Sequence, residues 1–157
     1  MQEESCYQHL PLLLFPIMSH QPSSSLKTMY LWNASTGSIS ELCSQEADGD
    51  YISSVSWLND GVHVAIGTAS AQVQIWDAQA QRKIRTMSGH DARVAALSWN
   101  EHTLSSGNKN GVIINSDVRI QEHVVATLRG HTQEVCGLRW SPDGKNLARC
   151  VLTSFID

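Results

Sequence analysis

Residues 51–77 read YISSVSWLNDGVHVAIGTASAQVQIWD and hold three alternating segments separated by turn-forming residues. Apolar and polar side chains alternate in ISSVSW because successive side chains of a strand point to opposite faces. Asn59, Asp60 and Gly61 form a tight-turn signal. The pattern predicts strands over 52–57, 62–68 and 72–77, followed by a fourth strand over 83–87.

The same pattern returns along the chain with a period near 40 residues. Trp57, Trp99 and Trp140 each end an alternating run, and they lie 42 and 41 residues apart. A glycine–histidine pair that ends at His90 returns at His131, again after 41 residues. A period of this length with glycine–histidine and tryptophan–aspartate marks is typical of β-propeller blades. The sequence therefore predicts an all-β fold, a fragment of a WD-repeat β-propeller.

The repeats divide the chain into two complete blades and two partial ones. The second complete unit has predicted strands at 93–99, 103–106, 111–117 and 124–128; the partial units have strands at 29–33, 38–43, 134–140 and from 146 onward. The propeller fragment thus covers residues 28–148. Residues 1–27 contain several prolines and serines without periodicity, and we expect them to be disordered. Residues 149–157 lack the turn glycines with which a blade continues, so they form a tail outside the pattern.

Charge and hydropathy exclude two classes of partner. The net charge of −4 argues against general nucleic-acid binding. Residues 1–50 carry a charge of −5 and residues 51–157 a charge of +1, so bulk charge would not select partners of the repeats. No apolar stretch approaches the ~20 residues of a membrane-spanning helix. The start of the chain is acidic, which does not favour a signal peptide.

The cysteines and the motif content favour neither a metal site nor an enzyme. Cys6, Cys43, Cys136 and Cys150 form no C-x-x-C pair and no Cys/His cluster with zinc-ligand spacing. We expect free thiols, with Cys136 in the core because it lies in an apolar strand pattern. No nucleophile elbow, P-loop or H-E-x-x-H motif is present, so we expect no catalytic residues and no cofactor.

The repeat marks predict a structural hydrogen-bonded network. In WD repeats, a loop histidine, a second-strand serine or threonine, a turn aspartate and a third-strand tryptophan bond to one another, because unpaired buried polar groups are costly. The positions that match are His90, His131, Ser106, Trp76, Asp77 and Asp117. In the second blade Ser116 replaces the tryptophan, so we expect a weaker network there. We interpret all of these residues as structural.

Four longer strings resemble one particular family of WD-repeat proteins. They are YISSVSW (51–57), AIGTASAQVQIWD (65–77), LSSGNKNGVIINSDVR (104–119) and GHTQEVCGLRWSPDG (130–144). In this order and at this spacing they resemble the Fizzy and cell-division-cycle-twenty activators of the anaphase-promoting complex. The resemblance covers about three quarters of the chain, from Tyr30 to Ala148.

The resemblance implies a seven-bladed propeller that recruits degron-bearing mitotic substrates to the anaphase-promoting complex, a ubiquitin ligase, in the cytoplasm and nucleus. Its partners would be subunits of that complex and the substrates themselves. The ligase-docking motifs of the family are absent from this sequence. The alternative hypothesis is therefore a truncated WD-repeat scaffold or competitor that binds proteins without activating the ligase. The resemblance assigns no degron-binding residue to this chain.

Overall fold

The structure is a computed structural model that describes residues 12–15, 27–45 and 47–151. All of the regular elements in these ranges are strands. They are β1 Leu12–Phe15, β2 Thr28–Asn33, β3 Ile39–Ser44, β4 Ile52–Trp57, β5 His63–Thr68, β6 Val73–Asp77, β7 Arg82–Met87, β8 Val94–Asn100, β9 Thr103–Asn108, β10 Ile113–Asp117, β11 Val124–Leu128, β12 Val135–Trp140 and β13 Leu147–Val151.

Two consecutive four-stranded antiparallel sheets form the centre of the molecule. The first blade contains β4, β5, β6 and β7 in that order. The second blade contains β8, β9, β10 and β11 in that order. Within each blade, every strand pairs antiparallel with the next strand in the sequence. The prediction of two whole blades over residues 51–128 is confirmed.

A smaller sheet lies on each side of the two blades. Strands β2 and β3 form a three-stranded sheet with β1, and β12 pairs with β13. β1 lies in the segment 1–27, which the sequence predicts to be disordered, and it pairs along the open edge of β2. Unpaired backbone groups on an edge favour such strand addition. Residues 1–11 and 16–26 of that segment lie outside the described residues. So do 152–157 of the predicted tail, whereas 149–151 continue β13.

The predicted strand limits differ from the structure by one or two residues at most elements. The largest differences are in the second blade, where β9 runs on to Asn108 and β10 begins at Ile113 instead of 111. The side-chain oxygen of Asn108 accepts hydrogen bonds from the backbone N–H groups of Asn110 and Val112. Gly111 lies within this turn with a φ of +81°. These bonds hold 109–112 in a turn, which the alternation of side chains could not show.

Hydrophobic cores lie between successive sheets. The first joins β2 and β3 to the first blade: Met29, Leu31, Leu42, Cys43, Ile52, Val64, Ile66 and Ala78. The second joins the two blades: Ala65, Val73, Ile75, Met87, Val94 and Leu104. The third joins the second blade to the β12–β13 sheet: Ala96, Ile113 and Val135. Face-to-face packing of one sheet on the next is the arrangement of propeller blades.

Two glycines allow the sheets to approach closely. A Cβ on Gly67 would lie 2.8 Å from Val94 Cγ1, and one on Gly107 would lie 2.6 Å from Val135 Cγ1. Neither position leaves room for a methyl group, because carbon atoms do not approach so closely. The valine that begins each sheet therefore packs directly against the backbone of the preceding second strand.

The first strand of every repeat also carries a β-bulge near its start. Pairing shifts between Ile52 and Ser54, between Val94 and Ala96, and between Val135 and Gly137. The extra residues are Ser53, Ala95 and Cys136. A bulge adds local twist and re-aims a side chain. In the first blade it turns the Ser53 hydroxyl towards the next sheet, where it donates to the carbonyl of Val94 at 2.5 Å.

Candidate functional site: a groove between two blades

Of the six residues predicted to form a network, the structure brings together His90 and Ser106. The ring Nε2 of His90 lies 2.8 Å from the Ser106 hydroxyl, which also donates to the carbonyl of Ile114 at 3.2 Å. Burial lowers the pKa of His90 to about 4, which keeps the ring neutral near pH 7. The pair links the loop before β8 to the second strand of the same blade.

His131 does not form the predicted bond, and its buried Nε2 has no hydrogen-bond partner. The register gives the reason. Ser106 lies opposite Leu97, and the corresponding residue opposite Leu138 is Arg149. Since Arg149 offers no hydroxyl, the third repeat lacks the acceptor or donor that the second repeat provides. Aligning the second strands of the repeats would have revealed this substitution from the sequence.

The predicted aspartates hold turns instead of joining the histidines. Asp77 accepts hydrogen bonds from the N–H groups of Gln79 and Ala80, each at 2.9 Å. Asp117 accepts a bond from the N–H of Arg119 and pairs with its guanidinium, which keeps the pKa of Asp117 far below its ordinary value. These are Asx turns, in which a short carboxylate satisfies the backbone of the next residues. The expectation of a connected network is wrong for both residues.

Trp76 also lies outside any histidine network. Its indole N–H donates to the side-chain oxygen of Gln74 at 3.0 Å, on the same strand. The second-strand residue that corresponds to Ser106 in this blade is Ile66, which lies opposite Val55 and has no hydroxyl. The first blade therefore uses a local tryptophan–glutamine pair in place of the expected set.

Other polar contacts tie neighbouring sheets together. The indole N–H of Trp99 donates to the carbonyl of Ser56, and that of Trp140 donates to the Ser105 hydroxyl, each at 3.0 Å. Arg93 donates to the Tyr51 hydroxyl at 3.1 Å and pairs with Glu134, so it bridges three successive repeats. These bonds fix the angle between blades, and the tryptophan spacing alone did not identify their partners.

A groove of about 280 Å³ lies between the first and second blades. Residues from both blades line it: Leu58, Asp60, His63, Ile75, Ile84, Arg85, Trp99, His102, Val118 and Arg119. Its floor is apolar and its rim is charged. Sites for small ligands and peptide side chains usually combine an apolar surface with a few placed polar groups. This groove is the candidate functional site in the described part of the chain.

Arg85 closes one end of the groove by spanning the two blades. Its guanidinium donates to the carbonyl oxygens of Val118 at 3.1 Å and Gln121 at 2.7 Å, and also to that of Ile120. Arg85 belongs to a basic run that resembles a solvated edge, and its neighbours Arg82 and Lys83 are exposed. Three carbonyl bonds make Arg85 a fixed wall of the groove, not a mobile surface charge.

The opposite rim carries a carboxylate and an imidazole in contact. His63 Nδ1 lies 2.5 Å from Asp60 Oδ2. Burial acts to raise the pKa of Asp60, but hydrogen bonds from the ring and backbone of His63 hold it below its ordinary value. Asp60 is therefore ionised near neutral pH. Across the groove, the Arg119 side chain is 60% exposed and pairs with Asp117. The groove thus presents both signs of charge around an apolar centre.

The described residues contain neither a metal-binding cluster nor a membrane-spanning helix. Within 12–15, 27–45 and 47–151, no group of three or more His, Cys, Asp or Glu side chains is placed to hold a metal ion. The same ranges contain no helix that is long and apolar enough to cross a bilayer. Asp60 and His63 form a pair without a neighbouring nucleophile among the groove residues. What the groove offers is a rigid, mixed apolar and charged surface.

Two family models match the chain. The Anaphase-promoting complex subunit 4 WD40 domain model matches residues 25–102, and the WD domain, G-beta repeat model matches residues 122–154. Together these matches include the first blade, strands β8 and β11 of the second blade, and the β12–β13 sheet. The WD-repeat prediction is confirmed.

Curated relatives match over most of the chain. "Cell division cycle 20.1, cofactor of APC complex" of Arabidopsis thaliana is 51% identical over 122 residues, which cover 77% of this chain and 27% of the relative. "Anaphase-promoting complex subunit cdc20" of Dictyostelium discoideum is 51% identical over 122 residues, covering 78% and 24%. The chain therefore spans about a quarter of the length of the curated relatives that it matches.

A solved structure has the same fold over the same region. A chain in the "Crystal Structure of Mitotic Checkpoint Complex" superposes with a TM-score of 0.76 at 46% sequence identity. The match covers 80% of this chain and 39% of that chain. Sequence and structure comparisons thus lead to one group of proteins.

Proposed function

Because the chain belongs to the Cdc20 and Fizzy family of WD-repeat proteins, we propose that it binds substrates of the anaphase-promoting complex during cell-cycle control. The observation that carries this proposal is the match of about 50% identity over 122 residues to proteins named as a cofactor and a subunit of that complex. Its role is recruitment without catalysis, in the cytoplasm and nucleus. Its partners are the ligase complex and degron-bearing mitotic proteins.

The inter-blade groove is the surface that supports peptide capture best. Its apolar floor of Ile75, Trp99 and Val118 suits one or two buried hydrophobic side chains. Arg119, whose exposed guanidinium also pairs with Asp117, suits an acidic residue of the same peptide. Because Arg85 and the Trp99 indole bond hold the two blades together, the groove is formed before a ligand arrives. Preorganisation of this kind lowers the entropic cost of binding a flexible peptide.

A reconstituted ubiquitination reaction tests the proposal. The reaction contains purified ligase complex, a full-length activator from the family and a mitotic substrate, and an excess of the chain is added. We expect the chain to slow ubiquitination because it sequesters the substrate. The Arg119→Glu variant reverses the charge at the rim and should not slow it.

The matched control is Arg82→Glu, which makes the same charge change on an exposed edge outside the groove lining. This variant should inhibit as the unaltered chain does. Unchanged ubiquitination in excess chain would contradict the proposal. Equal inhibition by the chain and by Arg119→Glu would place the effect outside the groove and would also support a competitor that acts on the ligase itself.

Localisation has a separate test. A fluorescent fusion of the chain should distribute between cytoplasm and nucleus at endogenous expression levels. Confinement of the fusion to a membrane-bound organelle other than the nucleus would contradict this part of the proposal.

A further inference from the structure

Two thiols lie side by side on the β12–β13 hairpin. Cys136 is the extra residue of the bulge in β12, and the next residue, Gly137, lies opposite Cys150 of β13. Both thiols are free and exposed, so the prediction of a core position for Cys136 is wrong. The bulge is the physical reason, because it re-aims Cys136 away from the side that the alternation of the strand assigns to it.

The residue that follows Cys136, Gly137, has no side chain and lies opposite Cys150. A Cβ built on Gly137 would lie 3.6 Å from the Cys150 Cβ, which places the Cys150 side chain over this glycine. The neighbouring Cys150 side chain raises the pKa of the Cys136 thiol, and the Cys150 thiol donates to the carbonyl of Val151 at 4.0 Å. Two bulge residues face a single partner residue, so Cys136 and Gly137 share Cys150 as their neighbour.

Cys150 occupies a position at which both complete blades have a glycine. Ser54 lies opposite Gly67 and Ala96 lies opposite Gly107, as Gly137 lies opposite Cys150. In the earlier repeats the glycine receives a valine of the next sheet. The third repeat has a thiol there instead, beside the thiol at the bulge.

We propose that Cys136 and Cys150 form a reversible cross-strand disulfide that joins β12 to β13. Gly137 lies directly opposite Cys150, and Cys136 adjoins it at the bulge, so both bulge residues face Cys150. A disulfide joins residues whose Cα atoms lie ~4.4–6.8 Å apart. The bond closes the hairpin loop between residues 136 and 150. It therefore restrains β13, the edge strand of this sheet, against separation from β12.

The oxidant is a hydroperoxide, and the reaction balances with hydrogen peroxide itself. One cysteine thiolate attacks the O–O bond, giving a sulfenic acid and, after protonation of the leaving hydroxide, one water. The second thiol attacks the sulfenic sulfur, forms the S–S bond and releases a second water. The two thiols lose two electrons and two protons, and the peroxide is reduced to two waters. A dithiol reductant reverses the bond by exchange.

Peptide mapping of the whole 157-residue chain tests the proposal. The chain is reduced, desalted, exposed to dilute hydrogen peroxide, blocked with N-ethylmaleimide and digested with trypsin without reductant. Cleavage at Arg129, Arg139 and Arg149 places Cys136 and Cys150 on different peptides, 130–139 and 150–157. We expect these two peptides to be recovered as one linked species that separates on reduction. Oxidation should also slow amide exchange in β13 by about tenfold.

The controls make the result specific. Cys136→Ser and Cys150→Ser should each abolish the linked species. Cys43 is a control within the same molecule, because burial raises its pKa to about 11 and should leave it unlinked. Recovery of both peptides as separate maleimide adducts or sulfinic acids would overturn the proposal. So would a linked species whose yield rises with protein concentration, since this would show a bond between molecules.

Discussion

His90 and Ser106 show how one buried polar pair depends on the register of a single repeat. The ring is neutral because burial disfavours its charged form, and the serine hydroxyl satisfies one of its nitrogens. Replacing His90 with alanine leaves Ser106 with its bond to the Ile114 carbonyl only. The second blade therefore loses a link between its entry loop and its second strand, and we expect a cost of about 1–2 kcal/mol in the free energy of unfolding.

The pKa of His90 in the folded chain should be lowered by the burial of its ring. An unfolded histidine has a pKa of about 6.5, and the folded value is about 4. Between these pH values the unfolded chain binds the proton and the folded chain does not. The contribution of the neutral His90 ring to the free energy of unfolding is therefore fully present above pH ~6.5 and is lost as the pH falls towards 4. Nuclear magnetic resonance of the His90 ring should show a midpoint near 4. A midpoint at or above 6.5 would contradict the buried neutral ring.

Two glycine-to-alanine substitutions test whether close packing of the sheets, and not backbone freedom, requires a glycine at position 107. Gly107→Ala should destabilise the chain by about 1–3 kcal/mol, because the new methyl group would meet Val135 at 2.6 Å. Gly137→Ala is the matched control, since its methyl group would lie 3.6 Å from Cys150 Cβ, an ordinary contact. Thermal melting of the two variants measures the difference. Equal loss of stability in both would show that sheet approach at Gly107 is not the cause.

At the scale of the strand, Arg85 links β7 of the first blade to the turn that follows β10. Arg85→Met keeps much of the side-chain volume but removes all three carbonyl bonds. We expect amide exchange in residues 118–123 to rise about tenfold, because the turn loses the three hydrogen bonds that Arg85 donates to its carbonyl oxygens. Arg82→Met, on the exposed edge of the same strand, should leave the exchange unchanged. Unchanged exchange in Arg85→Met would show that the turn holds its place without the arginine.

Strand positions followed from the sequence, whereas bulges and turn caps did not. Alternation of side chains located Ile52–Trp57 and Val124–Leu128 to the residue. The sequence did not predict the bulge at Cys136, because one extra residue in a strand changes the direction of a side chain without changing the amino-acid pattern. The failure of the His131 network depends on which residue pairs with Leu138, and register is a long-range property. For the same reason the groove, which two blades build together, could not be predicted from either repeat.

The whole molecule consists of sheets that are stabilised mainly by their neighbours. In repeat proteins much of the stability resides in the interfaces between units, so the outer sheets receive less support than the two blades. The edge strand β11 also exposes apolar side chains, with Val125 at 63% and Val124 at 46% exposure. Exposed apolar edge strands favour intermolecular pairing.

We therefore expect the 157-residue chain, expressed by itself, to be marginally stable and to self-associate. Sedimentation velocity at two protein concentrations should show larger species at the higher concentration. Val125→Lys places a charge on the β11 edge and should reduce the association. A monodisperse monomer with a cooperative melt would contradict this expectation.

The most direct test of the central claim is a binding titration that follows the fluorescence anisotropy of a labelled degron peptide from a mitotic substrate. The titration is carried out below the concentration at which the chain associates. We predict saturable binding to the chain, weakened at least about tenfold by Arg119→Glu and unchanged by Arg82→Glu. Absence of binding, or equal affinity in all three proteins, would contradict the claim that the groove between the two blades captures substrates of the anaphase-promoting complex.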